Sequence, residues 1–412
     1  MSANDTPPTA TRLETGRAHR VAMLVWNTFR HDARVRNEAE TLAHSGYRVT
    51  IHALHAPSIT ERMETFANGI VVMRHGRTPG KRQTRPRAAA SRRSLLGILR
   101  MLFASLLTQF AMILAILRSR PDVVHAHDVN MLATAWLAAR LLRVPLVYDA
   151  HEISTGREGY RAIRGVVAAL ENRIMRRAAG TITTTDARAK FFARAYHIPR
   201  PVVLQNRPRS WKGGLSTRIR DELQLENDWP IILYQGGLQP GRGLENLVHA
   251  ARDVAGAHVV FVGGGSLYTV LTRLTRDLGL ESVVKFIDTV PLAELPWYTA
   301  SADIGVQPIE DTCVNHFTTD SNKLFEYVMA GLPIVASRLP EIRRVVQAHD
   351  LGLLVRPGNR EELVEALKRL VSDWALRARF AENAREAATL LNWESQEQGL
   401  LDLYDSILRR ER

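Results

Sequence analysis

The sequence predicts an α/β protein built from two doubly wound, Rossmann-like domains. Apolar runs short enough to be buried strands alternate with helix-length segments from about residue 20 to about residue 410. The same order restarts at IILYQGG (231–237), halfway along the chain. This alternation predicts parallel sheets covered by helices on both faces, and 412 residues suffice for two domains of ordinary size.

The elements of the first half follow from its apolar runs and its turn residues. Gly46, for example, ends a helix, because glycine readily adopts the left-handed conformation of a C-terminal cap. The segment RPRSWKGG (207–214) predicts a linker. Predicted strands are 21–26, 49–54, 70–75, 123–127, 146–151, 181–185 and 202–206, and predicted helices are 37–46, 131–142 and 161–178.

The second half repeats the scheme and completes the predicted domain organisation. Its predicted strands begin at 231, 259, 283, 302, 333 and 352, and its predicted helices include 244–254, one ending at 278, one starting near 321, one from 360 and one near 394–410. Together the elements predict a polar N-terminal tail (1–18), a first domain (19–206), a second domain (207–390) and a C-terminal helix (391–412) that packs back on the first domain.

Composition excludes several protein classes. The single cysteine, Cys313, excludes a disulfide framework and fits a reducing cytoplasm. The first 18 residues contain no apolar region, so no signal peptide is predicted there. The net charge of +13 suggests an anionic partner, but not nucleic acid, because aromatic residues are not interleaved with the clustered cations.

The charge is concentrated before a long apolar segment. No acidic residue occurs between Glu64 and Asp122, and this interval holds a run of arginines and lysines followed by the apolar stretch 94–117. Its uninterrupted part, 101–117, is at the short limit for a membrane span. The favoured interpretation is a crossover helix packed on a sheet. The alternative is that 77–117 also contacts an anionic membrane surface.

Two segments at predicted strand ends carry residues suited to binding phosphate. In LYQGGLQPGRG (233–243), Gly236 and Gly237 allow close backbone approach and Arg242 stands where a helix begins; a plain tight turn is the alternative. In SNKLFEYVMAG (321–331), Lys323 lies in the first helical turn and Glu326 one turn further along the same face. The alternative for these two residues is a local ion pair.

Taken together, these motifs resemble the retaining GT-B glycosyltransferases of glycosyltransferase family 4. The resemblance extends from about residue 20 to 410 and is strongest in YQGGLQPGRGLENLVHAA, FVGGGSLYTVL with YTASADIGVQP, and NKLFEYVMAGLPIVAS. It implies two domains facing a central cleft, the first binding an acceptor and the second a nucleotide-sugar donor.

The resemblance also assigns roles to residues. Two departures from the family pattern stand out: Thr318 occupies the position of the first glutamate of the E-x7-E motif, and Gly237 replaces the usual arginine. The implied residues are His151, Arg242 and Lys323 for catalysis; Gly236, Gly237, Arg242, Thr289, Thr318, Lys323, Leu324 and Glu326 for the donor; and Asp32, Arg34, His127 and Asp128 on the acceptor side.

The function implied is sugar transfer from a nucleotide-sugar to a saccharide or lipid-linked hydroxyl acceptor in bacterial polysaccharide or glycolipid synthesis. No DxD motif or clustered metal ligands are evident in the sequence, so transfer without a metal or other cofactor is expected. Two alternatives remain: a nucleotide-sugar 2-epimerase of the same fold, and a non-catalytic binding or assembly protein. The expected location is cytoplasmic, with peripheral attachment to the inner face of the plasma membrane as an extension of it.

Overall fold

The computed structural model describes residues 18–77 and 95–409. Its first sheet has eight strands in the order β3-β4-β2-β1-β5-β6-β7-β8. The pairings along it are parallel, except that the short β3 runs antiparallel to β4. The strands are β1 (Arg20–Leu24), β2 (Arg48–Leu54), β3 (Met63–Thr65), β4 (Val71–His75), β5 (Val123–His127), β6 (Leu146–Ala150), β7 (Gly180–Thr183) and β8 (Val202–Val203).

Helices connect these strands as the sequence predicts, with one helix that the sequence analysis missed. Asp32 caps the first helix by accepting a hydrogen bond from the Val35 amide at 3.2 Å. Thr185 caps the missed helix, α5, in the same way. The helices are α1 (Ala33–His44), α2 (Leu95–Ser119), α3 (Val129–Leu142), α4 (Arg164–Met175) and α5 (Asp186–Tyr196).

The second sheet has six parallel strands in the order β11-β10-β9-β12-β13-β14. Its strands are β9 (Ile231–Gln235), β10 (His258–Val262), β11 (Val284–Ile287), β12 (Ile304–Gln307), β13 (Ile334–Ser337) and β14 (Gly352–Val355). Its helices are α6 (Arg218–Leu223), α7 (Leu244–Ala251), α8 (Tyr268–Asp277), α9 (Leu295–Thr299), α10 (Val314–Phe317), α11 (Asn322–Met329), α12 (Pro340–Ala348), α13 (Arg360–Ser372), α14 (Trp374–Ala388) and α15 (Glu397–Arg409).

The core of the second sheet lies on both of its faces. Ile232 and Tyr234 belong to one apolar cluster. Their neighbours Ile231 and Leu233 belong to another. Because alternate side chains of a strand point to opposite faces, this sheet is covered on both sides, as a parallel sheet requires. The prediction of α/β architecture with two Rossmann-like parallel sheets is confirmed.

By spatial contact the chain forms two compact units made of discontinuous segments. The first unit contains the described residues of Met1–His151, Val166–Thr181 and Leu401–Arg412, and the second contains Glu152–Gly165 and Ile182–Leu400. The predicted tail, 1–18, falls almost wholly outside the described residues. The predicted boundaries at 206 and 390 stay predictions.

Each sheet has one point where the strand order reverses direction. In the first sheet the reversal lies between β1 and β5, and in the second between β9 and β12. In doubly wound sheets, ligands bind outside the carboxyl ends of the strands at such points. The residues that follow Leu24, His127, Gln235 and Gln307 are therefore the places to look for a site.

The helix α2 is less buried than predicted. In an 18-residue apolar window within Leu99–Ser119, only 17% of the residues are buried inside the protein. Thr108, Met112 and Ile116 are buried, while large apolar side chains toward the N-terminal end are more than half exposed. The expectation of a helix packed on the sheet therefore holds only for its C-terminal half. The basic run between 78 and 94 lies outside the described residues.

Candidate active site

The loop after β9 brings Gly236 and Lys323 together. Gly236 has φ +112°, and a Cβ atom added to it would lie 3.7 Å from Lys323 Nζ. The backbone oxygen of Gly236 also lies close to Gly263. A Cβ atom added to Gly263 would lie 2.2 Å from that oxygen. The loop conformation thus requires glycine at both positions, and it leaves the amine of Lys323 beside the backbone of the loop.

Lys323 lies in the first turn of α11 and is almost fully buried. Its Nζ donates to Ser321 Oγ at 3.3 Å and lies 5.0 Å from the centre of the Tyr234 ring. Burial, and then the nearby charge of Arg242, lower the pKa of Lys323 from its ordinary 10.5 to about 7.

Neither Lys323 nor Arg242 forms an ion pair within 4.0 Å with an acidic group of the described residues. Lys323 lies at the start of α11 and senses the charge of Arg242. A helix start with two nearby basic side chains and no paired carboxylate favours an anion as ligand. The backbone N–H groups in the first turn of α11 lack partners within the helix and likewise favour an anion.

Glu326 is held by a neighbouring strand and not by Lys323. Its Oε2 accepts a 2.5 Å hydrogen bond from Gln235 Nε2, and Gln235 Oε1 accepts from Thr299 Oγ1 at 2.8 Å. Burial raises the pKa of Glu326. We name Gln235, Gly236, Arg242, Lys323 and Glu326 the loop–helix site. The local Lys323–Glu326 ion pair, the alternative raised by the sequence, is not formed within 4.0 Å.

The remaining residues assigned to the donor lie in different surroundings. Thr289 is exposed beside the glycine loop after β10, with its Oγ1 3.1 Å from the position of a Cβ on Gly264. Leu324 is fully buried in the apolar core, so its side chain is not part of the loop–helix site. Gly237 follows Gly236 and is exposed.

Thr318, which stands where the family pattern has glutamate, is buried and bonded within its own unit. Its hydroxyl donates to Val314 O at 2.8 Å and accepts from Arg188 Nε at 3.2 Å. Its backbone oxygen accepts from Thr185 Oγ1 at 3.0 Å. The short side chain therefore lies against a buried arginine, which also donates to Asn315 O at 3.1 Å.

A second group of polar side chains lies at the reversal point of the first sheet. Arg34 makes two hydrogen bonds to Asp149, from Nε to Oδ2 at 2.6 Å and from the guanidinium to Oδ1 at 2.8 Å. Asp149 Oδ2 is also 2.8 Å from His151 Nε2 and 3.3 Å from His127 Nδ1. The sheet thus gathers α1, β5 and the end of β6 around one carboxylate.

The charges of this group favour a protonated His151. Burial alone would raise the pKa of Asp149, but Arg34 and His151 hold it well below its usual range. Burial likewise opposes the charge of His151, yet Asp149 and Asp128 raise its pKa to about 9. His151 therefore carries a proton near neutral pH, and its 20% exposed side chain can donate a hydrogen bond.

Of the two acidic candidates on the acceptor side, Asp32 caps a helix and Asp128 has an unusual backbone conformation. Asp32 caps α1 and accepts a 2.7 Å hydrogen bond from Asn27 Nδ2. Asp128 precedes α3 with φ +65° and ψ 160°, and Ser321 precedes α11 with φ +58° and ψ 139°. Outside glycine such backbone conformations cost about 1–3 kcal/mol and cluster at functional sites.

The structure brings together potential metal ligands that lie far apart in the sequence. The sequence showed no such cluster, yet Glu38, His125, His127 and Asp149 place potential ligand atoms within 4.8 Å of one another. They come from three elements distant in sequence, so no spacing could reveal them. Arg34 already neutralises this group, since its Nε lies 3.3 Å from Glu38 Oε1 in addition to its bonds with Asp149.

Two family models match the chain on either side of residue 210. Residues 31–207 match the model described as a glycosyl transferase 4-like domain, and residues 216–387 match glycosyl transferases group 1. Together they cover most of the chain and include both polar groups. The chain belongs to the GT-B glycosyltransferases of family 4.

Similar proteins agree with this family. The chain is 26% identical over 306 residues to D-inositol 3-phosphate glycosyltransferase 2 of Catenulispora acidiphila, covering 69% of this chain and 70% of that protein. Sucrose-phosphate synthase of Thermosynechococcus elongatus superposes with a TM-score of 0.76 at 19% identity, over 95% of this chain and all of that one. HepE of Anabaena, in complex with UDP-glucose, gives 0.70 at 18% identity over 94% and 100%. These two structures show the shared fold.

Sequence reasoning missed three residues of the glycosyltransferase that hold the candidates in place. Gln235 orients Glu326, Asp149 holds His151, and buried Glu38 lies between Arg34 and His125. A usable signal existed for the first two, since each is a polar residue at the end of an apolar strand. Glu38 gave none, because a glutamate within a helix is ordinarily exposed.

Proposed function

We propose that this glycosyltransferase moves a sugar from a UDP-sugar to a hydroxyl group of a saccharide or lipid-linked acceptor, with retention at the anomeric carbon. The observation that carries the proposal is the pair Lys323 and Arg242, two cations without an acidic partner within 4.0 Å among the described residues. HepE, a structural neighbour, binds UDP-glucose, which supports UDP as the nucleotide.

Each part of the loop–helix site has a role in this reaction. Lys323, Arg242 and the first amides of α11 bind the diphosphate and stabilise the charge that develops on it as the bond to the sugar breaks. Glu326, oriented by Gln235, accepts hydrogen bonds from the ribose hydroxyls. The glycines at 236 and 237 let the backbone approach the donor.

The retaining step needs no nucleophile from the protein. As the bond from the anomeric carbon to the diphosphate breaks, the acceptor oxygen bonds to that carbon on the same face, and the acceptor proton passes to a donor phosphate oxygen. Protonated His151 contributes a hydrogen-bond donor for the reacting sugars. A biosynthetic role in polysaccharide or glycolipid assembly follows from the acceptor class.

Binding is tested by thermal unfolding with UDP-, GDP- and ADP-sugars, since a ligand bound to the folded state raises stability by mass action. A UDP-sugar should raise the melting temperature of the wild type but not of Lys323→Met. Lys368→Met, at an exposed position on α13, is the matched control and should behave like the wild type. Equal shifts for Lys323→Met and wild type would refute the diphosphate role.

Product analysis separates transfer from epimerisation and from binding alone. We expect slow donor hydrolysis without an acceptor and an α-linked glycoside with one when an α-linked donor is used. Activity should survive EDTA, because Lys323 and Arg242 supply the positive charge at the leaving group. Conversion of the donor into an epimer, or loss of activity in EDTA that Mg²⁺ restores, would contradict the proposal.

A further inference from the structure

The helix α2 exposes an apolar face to solvent, whereas a helix on the surface of a soluble protein exposes a polar one. The face buried against the first unit carries Thr108, Met112 and Ile116. Spacings of three and four residues place Leu99, Leu106 and Phe110 on the opposite face. On a helix at the surface of a soluble protein, the outward face is polar.

Many large apolar side chains of α2 are exposed to solvent. Eight large apolar side chains between Leu96 and Phe110 are each 51–64% exposed. The adjacent helix α3 adds exposed Leu137 and Leu141. Soluble monomers rarely expose a contiguous apolar patch beyond a few hundred Å², so this surface marks an interaction site.

The uncharged polar side chains in the middle of α2 are hydrogen-bonded within the protein. Thr108 Oγ1 donates to Ala104 O at 2.8 Å, and Gln109 donates to Ser105 Oγ at 3.3 Å. Thr134 of α3 donates to the Gln109 oxygen at 2.8 Å. In hydrocarbon an unbonded polar group costs several kcal/mol, and these side chains avoid that cost.

Charge at both ends of the helix identifies the partner as a lipid surface. The sequence from Arg77 to Arg93 contains seven basic residues and no acidic residue, and it directly precedes α2. Arg118 and Arg120 lie at the other end and are exposed. Cations near a bilayer surface are attracted by anionic headgroups, by about 1 kcal/mol each.

We propose that α2 binds an anionic lipid bilayer, lying in the plane of its surface with the Leu99–Leu106–Phe110 face in the hydrocarbon. Thr108, Met112 and Ile116 are buried against the protein, so α2 lies along its surface and presents only its outer face to the bilayer. This inference does not depend on the identity of the donor, and it explains how the enzyme could reach an acceptor anchored in lipid.

Vesicle flotation tests the proposal with the full-length protein. Wild type should float with phosphatidylcholine vesicles containing phosphatidylglycerol and less with phosphatidylcholine alone. The triple variant Leu99→Gln, Leu106→Gln, Phe110→Gln should partition at least about tenfold less, while circular dichroism and the melting temperature stay unchanged. Leu215→Gln with Trp374→Gln, two exposed apolar positions elsewhere, is the matched control and should float like wild type.

Orientation is tested by fluorescence. Cys313 is the only cysteine, so in a Cys313→Ser background a polarity-sensitive dye at Leu106→Cys should blue-shift and be quenched by acyl-chain-labelled lipid, whereas a dye at Leu215→Cys should not. The proposal is overturned if the wild type remains with the soluble fraction, if the triple variant floats equally well, or if α2 proves to bind a second copy, seen as a vesicle-independent dimer that the triple variant abolishes.

Discussion

Lys323 is a lysine whose charge depends on its ligand. With a pKa of about 7 it is about half protonated at neutral pH, because burial and Arg242 disfavour its charge. A bound diphosphate reverses this balance, since it adds negative charge beside the amine. Binding at neutral and higher pH should therefore be coupled to uptake of a proton by this side chain.

This coupling predicts the pH dependence of nucleotide binding. The affinity for UDP should fall as pH rises from 7 to 9, by up to about tenfold per unit, because protonating Lys323 becomes progressively more costly. Calorimetry in buffers with different ionisation enthalpies would measure the proton uptake directly. In Lys323→Met both effects should shrink; an unchanged pH dependence in that variant would show that another group takes up the proton.

His151 predicts a second pH effect, on the stability of the fold. Its folded-state pKa of about 9 lies above the ordinary 6.5, so its interaction with Asp149 stabilises the fold fully below pH 6.5 and is lost as pH rises through 9. Urea unfolding should thus show that His151→Gln is most destabilising near pH 6 and least near pH 10. A difference that stays constant across this range would argue against a charged His151.

At this scale, local sequence patterns point to single residues, whereas the partners of those residues lie far away in the sequence. Lys323, Arg242 and Gly236 were accessible because a glycine loop and a helix start are local patterns. The bond between Arg34 and Asp149 joins residues 115 apart in sequence, and only the strand order brings them together. The sequence shows Thr318 where the family pattern has glutamate, but its contact with Arg188 was not foreseeable.

At the scale of elements, the glycines after β9 and β10 form a stacked pair of loops. Gly263 has φ +136°, and its missing side chain makes room for the backbone oxygen of Gly236. The backbone of one loop thereby supports the backbone of the other. The conformation of the loop–helix site consequently depends on a residue that need not touch the ligand.

Alanine substitutions separate this support from ordinary backbone strain. Gly263→Ala should lower the free energy of unfolding by more than about 2 kcal/mol and weaken UDP binding, because the new methyl group collides with Gly236 O. Gly256, with φ +70° and no atom within 4 Å of an added Cβ, is the matched control and should cost about 1 kcal/mol without affecting binding. Equal losses of stability and of UDP binding in the two variants would show that Gly263 does not support the loop sterically.

The elements themselves were predictable to different degrees. Parallel strands such as β9 and β10 are continuous apolar runs because both faces are buried, and these were found. The helices α5, α12 and α14 were missed, since none of them was distinguished from the connecting segments around it. The prediction that α2 packs on the sheet was wrong for its N-terminal half, because composition cannot distinguish a buried apolar helix from an exposed one.

At the scale of the whole molecule, the chain end belongs to the first unit. Tyr404 of α15 is fully buried, and its hydroxyl lies 2.9 Å from His125 Nδ1. Its ring packs edge-on against Tyr47 at 5.6 Å between ring centres. The first unit therefore cannot be completed until α15 has been synthesised, an arrangement that strand and helix patterns alone only suggested.

This arrangement predicts that a small change near the C-terminus destabilises the first unit. Tyr404→Phe removes one hydroxyl and leaves the buried His125 nitrogen without that partner, at a cost of about 1–3 kcal/mol in unfolding free energy. Tyr268→Phe, on a ring that packs against Phe286, serves as the control. If chemical denaturation gives the same small change for both variants, the contact with His125 contributes little.

The unusual protonation of Lys323 also makes it a chemical handle. A neutral amine is a nucleophile, and the chain contains only six lysines, of which Lys323 has its pKa lowered to about 7. An uncharged aldehyde, which does not favour protonation of the amine as a phosphate would, should form an imine there in preference to ordinary surface lysines. Covalent probes of this kind could report occupancy of the site, without knowledge of the sugar or the acceptor, through protection by whichever nucleotide binds.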